Sequence, residues 1–117
     1  MSTEFPKGAI LSRIAAELRD LSVQTALIED ALADETGGER NFASGTRRAM
    51  QELDRVRQTQ DCLAECLEVI ADSIPVDRRL SDSILFGGAI LPSIAERLRT
   101  GARLKDADPQ AQDPEIW

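Results

Sequence analysis

Leu11-Ser-Arg-Ile-Ala-Ala-Glu-Leu-Arg-Asp-Leu-Ser-Val-Gln-Thr-Ala-Leu-Ile-Glu-Asp-Ala-Leu32 decides the fold. Its positions Leu11, Ile14, Leu18, Leu21, Thr25, Ile28 and Leu32 are separated by alternating steps of 3 and 4. On a helix of about 3.6 residues per turn this is a heptad seam along one edge. Ile10, Ala15, Ala26 and Leu27 widen the stripe, and a wide stripe packs against more than one neighbour. The spacing predicts a helix from about Pro6 or Gly8 to Ala33, ended by Gly37 and Gly38, which tolerate positive φ.

Downstream, Ala49, Leu53, Val56, Gln60, Leu63, Leu67, Ile70 and Ile74 repeat the pattern, with Gln60 the strongly polar member. A second helix is expected from about Gly45 to Ser73, capped by Asn41 or Ser44 and stopped by Pro75. Leu80, Ile84, Gly87, Leu91, Ile94 and Leu98 hold one heptad phase through Asp77–Thr100. Pro92 removes a backbone donor there and Gly87-Gly88 weakens the helix, so a kink or a break is expected at 87–92. From Gly101 the pattern stops, and Pro109 and Pro114 punctuate a polar segment. The reading is all-α: a helical bundle domain over 1–100 and a flexible polar tail over 101–117. The domain is an antiparallel hairpin plus a third, Gly/Pro-kinked helix, closed as a three-helix bundle or as a dimeric helical bundle.

Charge fixes the hairpin's direction. Glu29, Asp30, Asp34 and Glu35 crowd the end of the first helix, Arg47 and Arg48 the start of the second, and Asp61, Glu65, Glu68 and Asp72 its later half. Each arrangement opposes its own helix dipole. An antiparallel hairpin sets Glu29–Glu35 beside Arg40, Arg47 and Arg48, and Lys7 and Arg13 toward Glu65 and Glu68. Such exposed pairs contribute about 0–1 kcal/mol each and select orientation more than they stabilise. The second helix also suits antiparallel pairing with its own copy about Gln60, through Leu53, Val56, Gln60, Leu63 and Leu67, with the two amides bonded across the axis. A homodimer is therefore expected, beside a protein partner whose identity the sequence does not give.

In 117 residues, 42% apolar and 30% charged, there is material for one core and a solvated surface. Only 3% are aromatic, so Leu, Ile, Val and Ala must build that core. The net charge of −7 disfavours nucleic acid and anionic membrane surfaces as partners. Arg outnumbers Lys by 12 to 2, a bias that fits a GC-rich bacterial genome. Met1-Ser-Thr-Glu-Phe-Pro6 has no basic segment followed by an apolar run, so no signal peptide is expected. Cys62 and Cys66 stand one helical turn apart, read as small fillers beside the seam in a reducing, cytoplasmic setting.

There is no His, which removes Ser-His and Cys-His nucleophilic chemistry, and two cysteines fall short of a zinc site. Glu29, Asp30 and Asp34 read as a solvated face, and Gly87-Gly88 lacks the strand and lysine of a phosphate loop. No cofactor and no metal is expected, and the leading reading is non-enzymatic: a protein-protein interaction module that works by helix packing.

Two alternatives come from resemblance. Asp54 and Gln58 form Asp-x-x-x-Gln on the helix face opposite the seam. This resembles the short motif of the CheZ-type response-regulator phosphatases; the resemblance implies that Asp54 contacts a receiver domain and Gln58 orients the attacking water. The flanking Arg55-Val56-Arg57 departs from that family. In size, charge and helicity the chain also resembles small acidic chaperones of flagellar and type III secretion, which implies a groove for a partner's amphipathic helix. Ile116-Trp117 reads either as a docking peptide, since Trp is a favoured anchor, or as a cover for the bundle's own apolar surface.

Overall fold

The computed structural model describes residues 3–35, 44–88 and 90–106. It is mostly helical, with four helices and a small two-stranded sheet. The order is β1 (Glu4–Pro6), α1 (Lys7–Glu35), α2 (Ser44–Ser73), β2 (Arg79–Ser81), α3 (Asp82–Phe86), α4 (Pro92–Thr100) and a 3₁₀ turn (Leu104–Asp106).

The long helices α1 and α2 lie side by side and antiparallel. Arg19 Nε and Nη2 donate to the two carboxylate oxygens of Glu68 at 2.7 and 3.1 Å. Further along, the Thr25 hydroxyl is shared between Leu21 O at 2.9 Å and Gln60 Oε1 at 3.3 Å. Small residues line the contact. Ala15, Ser22, Ala64 and Ala71 are buried, and a Cβ on Gly8 would sit 3.2 Å from the Ala71 carbonyl oxygen. Helices joined through such positions approach closely, because little side chain stands between the backbones.

α2 ends where Pro75 cannot continue it, and the Ser73 hydroxyl donates back to the carbonyls of Val69 and Ile70. The chain then turns, with Arg78 N donating to Pro75 O, and runs beside its own N-terminus. β2 pairs antiparallel with β1 in the register Glu4↔Ser81, Phe5↔Leu80, Pro6↔Arg79. Lys7 N to Arg78 O and Asp82 N to Thr3 O extend the ladder at either end. The fold is mostly helical as expected, but 79–81 form a strand where the heptad phase predicts the start of a helix. Sheet pairing instead satisfies a backbone that α2 has just released.

The region after β2 is broken, not merely kinked. Ser81 caps α3 by accepting from Ile84 N. α4 begins with Pro92 in its first turn, where the missing donor costs nothing. It ends at Gly101, whose φ of 80° lets its N–H close on Arg97 O at 2.8 Å. Arg13 of α1 donates to Leu98 O at 2.8 Å and Arg99 O at 3.0 Å, satisfying carbonyls at that helix end. It does not turn toward Glu65 and Glu68; Arg19 takes Glu68.

Polar pairs fasten the C-terminal segment to α1. Arg97 pairs with Glu17 in the most enclosed ion pair of those formed among the described residues. Arg103 grips the buried Asp20 carboxylate with two bonds, 3.0 and 2.8 Å, and Lys105 N adds a third at 3.4 Å. Contacts of the described chain thus reach Arg103, Lys105 and the 3₁₀ turn; residues 107–117 lie outside the described residues. Arg99 bonds Asp82 and lies over the Phe86 ring at 4.3 Å, and Phe86 meets Phe5 edge to face at 6.0 Å. This ties α4, α3 and the sheet into one base at the start of α1.

Candidate functional site

At about 100° per residue, each long helix carries three adjacent heptad rows on the side facing its partner. On α1 they are Gly8/Ala15/Ser22/Glu29, then Leu11/Leu18/Thr25/Leu32, then Ile14/Leu21/Ile28. On α2 they are Arg57/Ala64/Ala71, then Leu53/Gln60/Leu67/Ile74, then Val56/Leu63/Ile70. The hairpin closes on the first two rows of each helix. Ala15, Ser22, Thr25, Ala64 and Ala71 are buried, and Leu11, Leu18, Leu53, Gln60 and Leu67 are half-buried.

The third rows are left outside. Leu21 is 38% exposed, Ile28 51%, Val56 46%, Leu63 50% and Ile70 50%; Ile14, nearest α4, is half-buried. The expected seam counted these rows as closed, so the structure rotates each helix by roughly one row from that expectation. Reversing a helix reverses the sense in which its rows follow one another. In an antiparallel pair the two third rows therefore fall on the same side. They form one apolar strip running along the hairpin.

The rim of this strip is nearly uncharged. The next row outward is Ile10, Glu17, Gln24 and Ala31 on α1, and Glu52, Thr59, Cys66 and Ser73 on α2. Its two acids are already paired, Glu17 with Arg97 and Glu52 with Arg55. The Arg19–Glu68 and Arg57–Glu29 pairs belong to the opposite side of the hairpin. There, hydrogen bonding from Arg19 holds the Glu68 carboxyl below its ordinary range, and Glu68 raises Arg19 in turn. At Asp20 burial pushes the carboxyl up, but the bonds and charges of Arg103 and Lys105 outweigh it and hold it below the ordinary value.

Of the expected interface residues, Val56 and Leu63 lie on the strip. Leu53, Gln60 and Leu67 lie on the row toward α1, and Gln60 meets Thr25 inside the hairpin. Cys62 and Cys66 are exposed, not fillers of a core. Asp54 and Gln58 do come together: Gln58 Nε2 donates to Asp54 Oδ2 at 2.7 Å. Arg57 closes on the other Asp54 oxygen, which raises the arginine's pKa. Ile116 and Trp117 lie outside the described residues. Among the described residues, no three Cys, Asp or Glu side chains gather as a metal site, and no helix is long and apolar enough to cross a membrane.

Sequence reasoning missed the small row and the Asp20 clamp. The small row had a signal, since Gly8, Ala15 and Ser22, like Ala64 and Ala71, repeat every seventh residue. Asp20–Arg103 had none, because it joins residues far apart in the chain.

Residues 4–117 match the model of a family described as a domain of unknown function (DUF8776). No curated protein and no solved structure matches the chain.

Proposed function

We propose that this chain, which belongs to the DUF8776 family, is a non-enzymatic interaction module whose working surface is the Leu21/Ile28–Val56/Leu63/Ile70 strip. One observation carries the reading. Five large apolar side chains, each more than a third exposed, are aligned on one side of a hairpin with an almost uncharged rim. Contiguous apolar patches of that kind mark docking surfaces, whereas scattered ones such as Val76 and Ile84 do not. A heptad row accepts another helix, so the module docks by helix packing. We take the setting as cytoplasmic, since exposed thiols such as Cys62 and Cys66 persist where it is reducing.

Nothing in the geometry favours the phosphatase alternative over this one. Its two residues are engaged with each other and with Arg57 on the polar side. The secretion-chaperone alternative shares the strip and differs in who occupies it.

A photoreactive phenylalanine analogue placed at position 63 tests the reading in living cells, with the same probe at position 69 as control. Val69 is on the same helix and 64% exposed, but off the strip. A covalent protein adduct at 63 and none at 69 is expected. Equal labelling at both positions, or none at 63, overturns it.

A further inference from the structure

We infer that the occupant of the strip is a second copy of this chain, packed face to face about a two-fold axis at the level of Leu21 and Leu63. The inference rests on the docking reading above and names its partner.

The register of the hairpin carries the argument. Arg19 stands opposite Glu68 and Thr25 opposite Gln60, which sets Ser22 opposite Ala64, with Leu21 and Leu63 one residue to either side of that level. Ile14-Leu21-Ile28 and Val56-Leu63-Ile70 thus have their middle members within about 3 Å of one level and their ends at matching distances on either side. A two-fold axis through that level lays both rows of one copy along rows of the other with a shift of only about 3 Å in either. A surface that complements itself is what an isologous interface requires.

Charge agrees. At −7 per chain, two copies repel unless their acids stay apart. The strip contributes no charge, and its two rim acids are neutralised within the chain. The cross-helix ion pairs lie on the far side, so copies meeting through the strip keep those charges beyond a screening length of about 8–10 Å. An uncharged rim also offers nothing to select a foreign partner by electrostatic pattern. The size fits. A face about 21 Å long at 1.5 Å per residue and about 18 Å across two helices covers roughly 380 Å² in plan. Side-chain relief brings it near the ~500 Å² per partner that a small specific interface needs. The product is an antiparallel four-helix layer with Leu21 and Leu63 at its centre.

Sedimentation equilibrium of the full chain across roughly 1–100 µM tests this, together with Leu63→Asp, Ile28→Asp and the control Val69→Asp. Circular dichroism of each variant checks its helices. The wild type and Val69→Asp are expected as dimers. A charge at the centre of the strip is expected to weaken the dimer by roughly 30-fold or more. If Leu63→Asp loses its helices, Ile28→Asp, farther from the axis, decides. A wild type monomeric throughout overturns the second copy as occupant and leaves docking of another protein to the cross-linking test. A dimer unaffected by either strip variant, or equally weakened by Val69→Asp, places the interface elsewhere and overturns the inference.

Discussion

The base of the hairpin and its open stretch are built on different principles. At the base, α4, α3 and the sheet pack on the start of α1, and arginines bound to acids or carbonyls make many of the joints: Arg13, Arg97, Arg99 and Arg103. Beyond Leu21 the described chain offers only α1 and α2; the buried residues of their contact are Ser22, Thr25 and Ala64, with Leu32, Leu53 and Gln60 half-buried, while Leu27, Ile28, Val56 and Leu63 face outward. A chain folding only for its own sake would do the reverse, since a buried Leu is worth about 1.5–3 kcal/mol more than an exposed one. The difference teaches that closing the hairpin needs little side-chain volume. The greasy positions of the open stretch are available for an intermolecular contact.

The sharpest way to break that comparison is to exchange the roles of two adjacent residues. Ala64 is fully buried and Leu63 half-exposed. Ala64→Leu forces extra carbons between two closely spaced backbones and is expected to cost about 1–3 kcal/mol, a thermal midpoint lowered by roughly 5–15 °C. Leu63→Ala, measured where the chain is dilute enough to be monomeric, is expected to cost less than about 1 kcal/mol. Thermal melts of the two variants at one low concentration check this. Equal losses would mean that the third row is closed in solution.

That pair also marks how far the sequence could be read. The limits of α1 and α2 followed from heptad steps and Pro75 and fall within one or two residues of those observed; Gly37 and Gly38 lie outside the described residues. The break before Pro92 followed from its missing donor. Periodicity identified the correct sector of each helix but not which two of three adjacent rows would close. Leu63 scores as core on any hydrophobic scale and Ala64 does not; only the approach of α1 decides between them. The strands left no trace, because three residues are too few to show alternation and Pro6 argues against a ladder. Nothing in the sequence marks Asp20 as buried, because Arg103 reaches it from the far end of the chain.

Acid should separate the two regions. Asp20 has a folded-state pKa below its unfolded value, so its contribution is complete above roughly pH 4–5 and is lost as pH falls through the folded pKa. The base, which depends on carboxylates, should therefore loosen before the small-residue contact of the open stretch. Amide hydrogen exchange stepped downward from pH 5 is expected to lose protection at Ala95 and Leu98 ahead of Ala64. Arg103→Ala removes the guanidinium and leaves the burial of Asp20 uncompensated, so the base should open at a higher pH, with a cost near neutrality of about 1–3 kcal/mol. Simultaneous loss at Ala95 and Ala64 in both proteins would show that the two regions unfold as one.

The smallest contrast comes from two glycines. Gly101 at the base holds φ at 80°, and a Cβ there would lie 3.4 Å from Arg13 Nε, the side chain that satisfies the α4 carbonyls. Gly101→Ala imposes an αL conformation on an L side chain, at about 1 kcal/mol, and presses on that arginine as well. Gly45 sits in the first turn of α2, and a Cβ added to it meets nothing within 4 Å. Gly45→Ala only narrows the unfolded ensemble and is expected to stabilise by about 0.4–1 kcal/mol. Opposite signs in urea midpoints, with unchanged slopes, are the expected result. A destabilising Gly45→Ala would mean that the start of α2 is packed against something, and that the open stretch is less open than its two rows of Ala and Leu imply.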